Sequence, residues 1–233
     1  MDCCAYNIMT LVLYLYDAVT LTAKLHSNGR YSCGQTAEVN GDLFTYTGIL
    51  KVNEQNPGII KILEPMSSAL NYYEYEIVSR GKKCAIGIGV GDFDHALNRM
   101  PGWEHNGVGY HADDGYLFNE GDGKRFGPLC SAGDRMGCGV DFQSEVSSGS
   151  VNVFFTKNGQ QVGDLVRIKK PTRGLYPLVG MDSEGEQVRY LGHWHHLPQD
   201  SGQQTTSSNG ELLHIGSVPL GVAISTTGNC TTL

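Results

Sequence analysis

The stretch PGWEHNGVGYHADDG, Pro101 to Gly115, gathers a Trp, a Tyr, two His and two adjacent Asp into one short run. These types can do acid–base or metal chemistry, so each arrangement has to be weighed. Asp113 and Asp114 are neighbours, and on a strand adjacent side chains point to opposite faces, so the pair does not share a proton. Asp-Asp-Gly fits a tight turn better, with Asp oxygens bonding nearby backbone N–H groups and Gly taking positive φ. A calcium loop would need Asp at alternate positions and a distant Glu, which the run lacks.

Glu74 and Glu76, in YYEYEIV, form the second candidate. Two apart on a strand, they project to the same side, and a β-sandwich glycosidase could use such a pair. That chemistry needs carboxyls roughly 5 to 9.5 Å apart across a sugar cleft. The next position on that face is Val78, so the alternation favours a solvated sheet face, with a carbohydrate-binding or glycoside-hydrolysing sandwich as the alternative reading. His193, His195 and His196 offer ring nitrogens, but no Cys or His pair elsewhere has zinc-ligand spacing, so an exposed strand end is expected and no metal. There is no Gly-x-Ser-x-Gly elbow. Gly87-Ile88-Gly89-Val90-Gly91 lacks the dinucleotide spacing and the helix that would follow it. The chain is read as a non-enzyme without cofactors.

What positions these residues is a series of short strands. Among 233 residues there are 31 Gly and scarce helix-forming runs, which favours an all-β domain. Tyr72 to Ser79 and Cys84 to Val90, divided by Arg80-Gly81-Lys82, read as a hairpin. So do Val151 to Thr156 and Gln161 to Ile168 around Asn158-Gly159, and Tyr176 to Met181 and Gln187 to Leu191 around Asp182 to Gly185. Gly137 to Phe142 reads as a further strand. Such strands, without alternating helices, imply two antiparallel sheets packed face to face, Tyr73, Tyr75 and Ile77 lining the core.

The ends differ. Residues 1–40 carry an apolar run, Ile8 to Ala23, which is shorter than the roughly 20 residues of a membrane span and contains Asp17. It is expected to be a packed segment of unknown role, a membrane anchor being the minority reading. Residues 198–233 are rich in Ser, Thr, Gln and Gly and are expected to be a disordered polar tail. The net charge of −7 argues against nucleic acid as a partner and against an anionic membrane. Seven Cys, an odd count without a Cys-x-x-Cys pair, favour reduced thiols inside the cell. Cytoplasm is preferred to nucleus because no basic localisation run is visible.

YYEYEI, AIGIGV, PGW, GYHADDG, GDRMGCGVDF, VFFTKNGQQVG and YPLVGM, in this order over 41–197, resemble the SPRY domain family. The resemblance implies a bent antiparallel β-sandwich without a catalytic centre, whose end loops bind a peptide or protein surface. Several members are adaptors or substrate receptors in ubiquitination, a role this chain would fill only through a partner. The matching loops place the partner-binding positions at Arg99, Met100 and Trp103, at Asn53 and Gln55, and at Asp182 and Ser183. Trp103 has the properties of either a core plug or a hot spot. Tyr110, alternating with Val108, is expected in the core.

Overall fold

The computed structural model describes residues 24–26, 29–48 and 55–196. Its strands are β1 (Lys24–His26), β2 (Tyr31–Cys33), β3 (Ala37–Asn40), β4 (Leu43–Tyr46), β5 (Gly58–Ile62), β6 (Tyr72–Arg80), β7 (Ile86–Gly91) and β8 (Val108–His111). There follow β9 (Tyr116–Asn119), β10 (Asp122–Arg125), β11 (Arg135–Asp141), β12 (Ser150–Lys157), β13 (Gln160–Lys169), β14 (Tyr176–Met181) and β15 (Glu186–Trp194). One sheet runs β1-β2-β5-β14-β7-β8-β9-β10, the other β13-β12-β11-β6-β15-β4-β3, every pairing antiparallel. The result is the expected all-β sandwich. The apolar run Ile8 to Ala23 and the tail beyond Leu197 lie outside the described residues.

Alternation in β6 sends Tyr73, Tyr75 and Ile77 into the space between the sheets, where Ile86, Ile88 and Val90 of β7 meet them. Tyr75 packs on Phe44 and Tyr190, with centroids 5.6 and 5.4 Å away. Tyr73 crosses the whole layer. Its hydroxyl accepts from Gly89 N–H at 3.0 Å and donates towards Gly89 O and Leu178 O, the latter at 3.2 Å. Tyr73→Phe strips a fully buried backbone amide of its partner. We expect it to cost about 2–3 kcal/mol, read as a lower urea midpoint at unchanged slope; an unchanged midpoint would show that the bond contributes nothing net.

One of the three expected hairpins forms. β12 and β13 pair around Asn158-Gly159, both at positive φ (53° and 80°), as a two-residue hairpin turn requires. The other two are corrected. β6 and β7 lie in different sheets, as do β14 and β15, so Gly81 to Ala85 and Asp182 to Gly185 carry the chain from one sheet to the other. The apolar faces of β6 and β7 oppose each other across the core instead of lying side by side. The two crossings run together: Lys82 N–H donates to Glu184 O at 3.1 Å, and Ser79 Oγ to Gly185 O at 2.7 Å.

The sheets also begin before Gly41. Tyr31 pairs with Ile62, and β3 closes one edge against β4; Tyr31, Cys33 and Ala37 are all buried. Residues 31–40 therefore belong to the sandwich, because their apolar positions complete its core.

The solvated face expected for Glu74 is not observed either. Glu74 is 4% exposed, accepting from Tyr72 Oη at 2.7 Å, with Arg135 Nη1 at 3.4 Å. Tyr72 is covered by Trp194 and His196, so the outer face of this sheet has its own aromatic layer.

Candidate functional site

The segment Asp92 to Gly107 joins β7 to β8 and could have been a loose loop. Instead it lies over the outer face of the eight-stranded sheet. It leaves β7 at Gly91, beside Tyr176, and runs back until Leu97 O accepts from Ile59 N–H at 3.2 Å. Glycines in the sheet beneath leave room for it. A Cβ on Gly109 would meet Pro101 O at 2.2 Å, and one on Gly87 would stand 3.1 Å from Met100 Cε.

The chain folds down at Met100, which is 3% exposed and packs with Ile59 and Leu178 in a second apolar cluster. This corrects the expectation that Met100 touches a partner: it is the plug that seats the loop. Pro101 O accepts from His111 Nε2–H at 3.0 Å, and Gly102 O from Gly121 N–H at 2.9 Å. Trp103 is half-buried. Its ring meets those of His111 and Phe118, centroids 6.3 Å away in both cases, and it rests on the Met100 cluster. One side of the indole therefore packs as a core plug would, and the ring keeps a partly exposed edge at a cleft. Arg99 is exposed.

Around Trp103 the loop encloses a cleft of about 390 Å³, lined by Asp92, His95, Arg99, Glu104 and Glu120, with Asp94 and His105 also contributing. His95 is buried, its Nε2 2.8 Å from Arg99 O. Glu104 Oε2 accepts from Ala96 N–H at 2.9 Å and lies 3.4 Å from His95 Nδ1. Burial pushes the His95 pKa down, against the pull of the Arg99 carbonyl and Glu104. His111 is pushed down in the same way, so both rings are neutral at pH 7.

The other expected positions separate. Asn53 lies outside the described residues. Gln55 is exposed, and its neighbour Asn56 donates its N–H to Asp182 Oδ1 at 3.1 Å, which brings these two loops together. Burial raises the Asp182 carboxyl above its usual range. Ser183 is 0% exposed, its N–H donating to Glu186 Oε2 at 2.9 Å and its Oγ accepting from Lys83 N–H at 3.1 Å. Ser183 therefore holds the crossing together and does not face a partner, a second correction. Leu97, bonded to Ile59, ties the Arg99 loop to β5, the strand that follows the Gln55 loop.

Sequence reasoning missed Asp92 and Glu104 and noted His95 only as one of three histidines close in sequence. The usable signal was the density of acids and histidines from Asp92 to His105 ahead of the turn. The enzyme candidates are otherwise committed: Glu76 Oε2 accepts from Arg189 Nη1 at 2.9 Å, and neither Glu74 nor Glu76 lines the cleft. His193 Nε2 and His195 Nδ1 bond the separate carbonyls of Leu70 and Ser68, at 2.6 and 2.9 Å. Asp114 Oδ1 accepts from Tyr116 N–H at 2.8 Å in the turn after β8. Burial raises the Cys84 thiol to about 11 and also pushes up Cys130 and Cys138, which keeps all three protonated. Among the described residues no three His, Cys, Asp or Glu side chains converge as a metal-ligand set, and no helix is long and apolar enough to cross a membrane.

Comparison with known proteins gives a consistent family. The SPRY domain model matches residues 71–192. Human SPRY domain-containing protein 3 is 38% identical over 170 residues, covering 72% of this chain and 36% of that protein. A Ran-binding proteins 9/10 homolog from Drosophila melanogaster is 37% identical over 146 residues, covering 62% of this chain and 14% of its own length. A crystal structure of a human SPRY domain superposes with a TM-score of 0.61 at 38% identity, covering 67% of this chain and 94% of that one. The chain thus spans only about a third of the length of SPRY domain-containing protein 3. With the sandwich, the seven ordered motifs and these relatives in agreement, the chain belongs to the SPRY domain family of protein-interaction modules.

Proposed function

We propose that this domain binds a short extended segment of a partner protein on the surface made by the Asp92–Gly107 loop, with Gln55 and Asp182 as its neighbouring hydrogen-bonding positions. The observation that carries the reading is Trp103: a partly exposed indole, fixed from below by Met100 and from the side by Phe118, at the edge of a cleft. A large ring held in one orientation loses little entropy on binding and offers much area. Extended segments recognised this way bind at micromolar affinity or tighter. In ubiquitination such a domain would act as an adaptor or substrate receptor, a partner chain supplying the ligase. Two groups of relatives carry Ran-binding in their names, which makes Ran a partner worth including in a direct test. Cytoplasm is the proposed compartment.

The test is capture from cell lysate by the full chain, compared with a Trp103→Ala, Arg99→Ala double variant whose folding is first checked by thermal melt. Partners of the wild type should be retained about thirtyfold less well by the variant, as expected for loss of an aromatic hot spot. Arg99→Glu alone, at an exposed position, should change partner retention without changing the melt, which separates an effect on binding from an effect on structure. Identical partner sets for all three chains would move the binding face away from this loop.

A further inference from the structure

Four carboxylates line the cleft, those of Asp92, Asp94, Glu104 and Glu120, against one permanent cation, Arg99. An acidic lining alone is often no more than a solvated surface. His95 supplies an independent observation. Its Nε2 lies 2.8 Å from Arg99 O, and a carbonyl can only accept, so the single proton of the neutral ring sits on Nε2. Nδ1 therefore carries a bare lone pair; it is buried and has no hydrogen-bond partner. That lone pair is directed at another acceptor, Glu104 Oε2, 3.4 Å away.

The cations nearby do not resolve this. Lys61 donates to Phe93 O from beneath the loop, and burial pushes its pKa down. Arg173 is paired with Asp94 and stacked over the Phe93 ring, 4.1 Å from its centroid. His105, 3.5 Å from Glu120, is largely exposed. Glu104 is thus left with the Ala96 N–H as its donor, its side chain 30% exposed towards the cleft, with Asp92 in the same lining.

We infer that the cleft receives a basic side chain of the partner segment, its guanidinium or ammonium group donating to Glu104 and Asp92 while its alkyl stem lies along the Trp103 indole. Arginine fits better than lysine, because a planar guanidinium can bond a carboxylate in bidentate fashion and stack on an indole face. A cleft of about 390 Å³ accommodates such a side chain. The same carboxylates repel phosphate, which favours a protein segment over a nucleic acid. The inference rests on the Asp92–Gly107 loop being the binding face, and it adds the chemistry of what binds there.

A randomised peptide library selected against the full chain tests both statements separately. Each enriched peptide is resynthesised with Arg replaced by citrulline, which keeps the shape and removes the charge, or with Lys replaced by acetyl-lysine. One such exchange should weaken binding about tenfold or more. Glu104→Gln should weaken the Arg form to a similar degree while leaving the citrulline form unchanged, so that the two losses are not additive. The Gln amide oxygen still serves the Ala96 N–H, and Asp92→Asn is a second variant that leaves the Ala96 bond untouched. Enriched peptides without a basic residue, or an exchange that costs as much in Glu104→Gln as in the wild type, would overturn the cation inference; dependence on Trp103 would then still support the loop as the binding face. Binding indifferent to both Glu104→Gln and Trp103→Ala, or a library yielding no binder, would overturn both.

Discussion

Gly109→Ala should be among the most damaging single-methyl changes in this domain, lowering stability by about 3 kcal/mol or more. The new Cβ would stand 2.2 Å from Pro101 O and 2.4 Å from Pro101 C, and these are backbone atoms that cannot swing aside. Moving Pro101 breaks its bond from His111 Nε2 and lifts Met100 out of the cluster with Ile59 and Leu178. Because Trp103 rests on that cluster, the variant should lose partner capture along with stability. Gly41→Ala is the comparison. It has nothing within 4 Å of its Cβ and carries only the cost of a positive φ of 64°, about 1 kcal/mol. Urea unfolding of the two variants decides the matter. Equal midpoints would mean that the sheet does not need to be bare under the loop.

Glu186 makes the second large prediction. It is 0% exposed; Oε2 accepts the N–H groups of Asp182 and Ser183, each at 2.9 Å, while Oε1 is buried without a partner. Burial raises its carboxyl to about 7, the backbone N–H groups of Ser183, Asp182 and Ala85 opposing the rise and the Asp182 charge adding to it. Between the unfolded value of 4.5 and about 7 the folded chain keeps a proton that the unfolded chain has released. The contribution to stability is therefore complete below about pH 4.5 and is lost as pH rises through 7, roughly 3 kcal/mol in all. Glu186→Gln keeps an oxygen for the two N–H groups and removes the titration. Unfolded in urea at pH 5 and at pH 8, it should lose less stability between the two than the wild type, by about 2.5 kcal/mol. Asp182, raised as well, stays in both chains and cancels in the comparison. Parallel losses would show that Glu186 does not hold the proton.

Much of this molecule was legible in its sequence wherever the cause is local. Alternation in YYEYEIV put Tyr73, Tyr75 and Ile77 on one face, because successive strand side chains must point to opposite sides. Asn158-Gly159 turned β12 into β13, because those two residues tolerate the positive φ of a two-residue loop. Asp113-Asp114-Gly115 made the turn after β8 and Tyr110 went to the core, as read. Ordered motifs also named the family, through likeness rather than through any one residue.

Tertiary structure decided whatever depends on a distant neighbour. Two strands joined by a short turn have the same local pattern whether they pair or cross between sheets; β6 pairs with β11 and β15 and β7 with β14, all far along the chain, and β7 also with β8, the strand after its loop. Met100 and Ser183 lie in loop sequences that suggest exposure, yet Ile59 and Leu178 bury the first and the Lys83 and Glu186 partners hold the second. Glu74 left solvent because Tyr72 and Arg135 bond it from neighbouring positions in the sheet. The cleft was beyond local reading for the same reason. It exists because the glycines at 87 and 109 let a loop settle on the sheet and turn His95 and Glu104 towards each other. A side chain's type and period are written in a few adjacent residues, whereas its burial and its hydrogen-bond partners are set by whichever segments the folded sheets bring beside it.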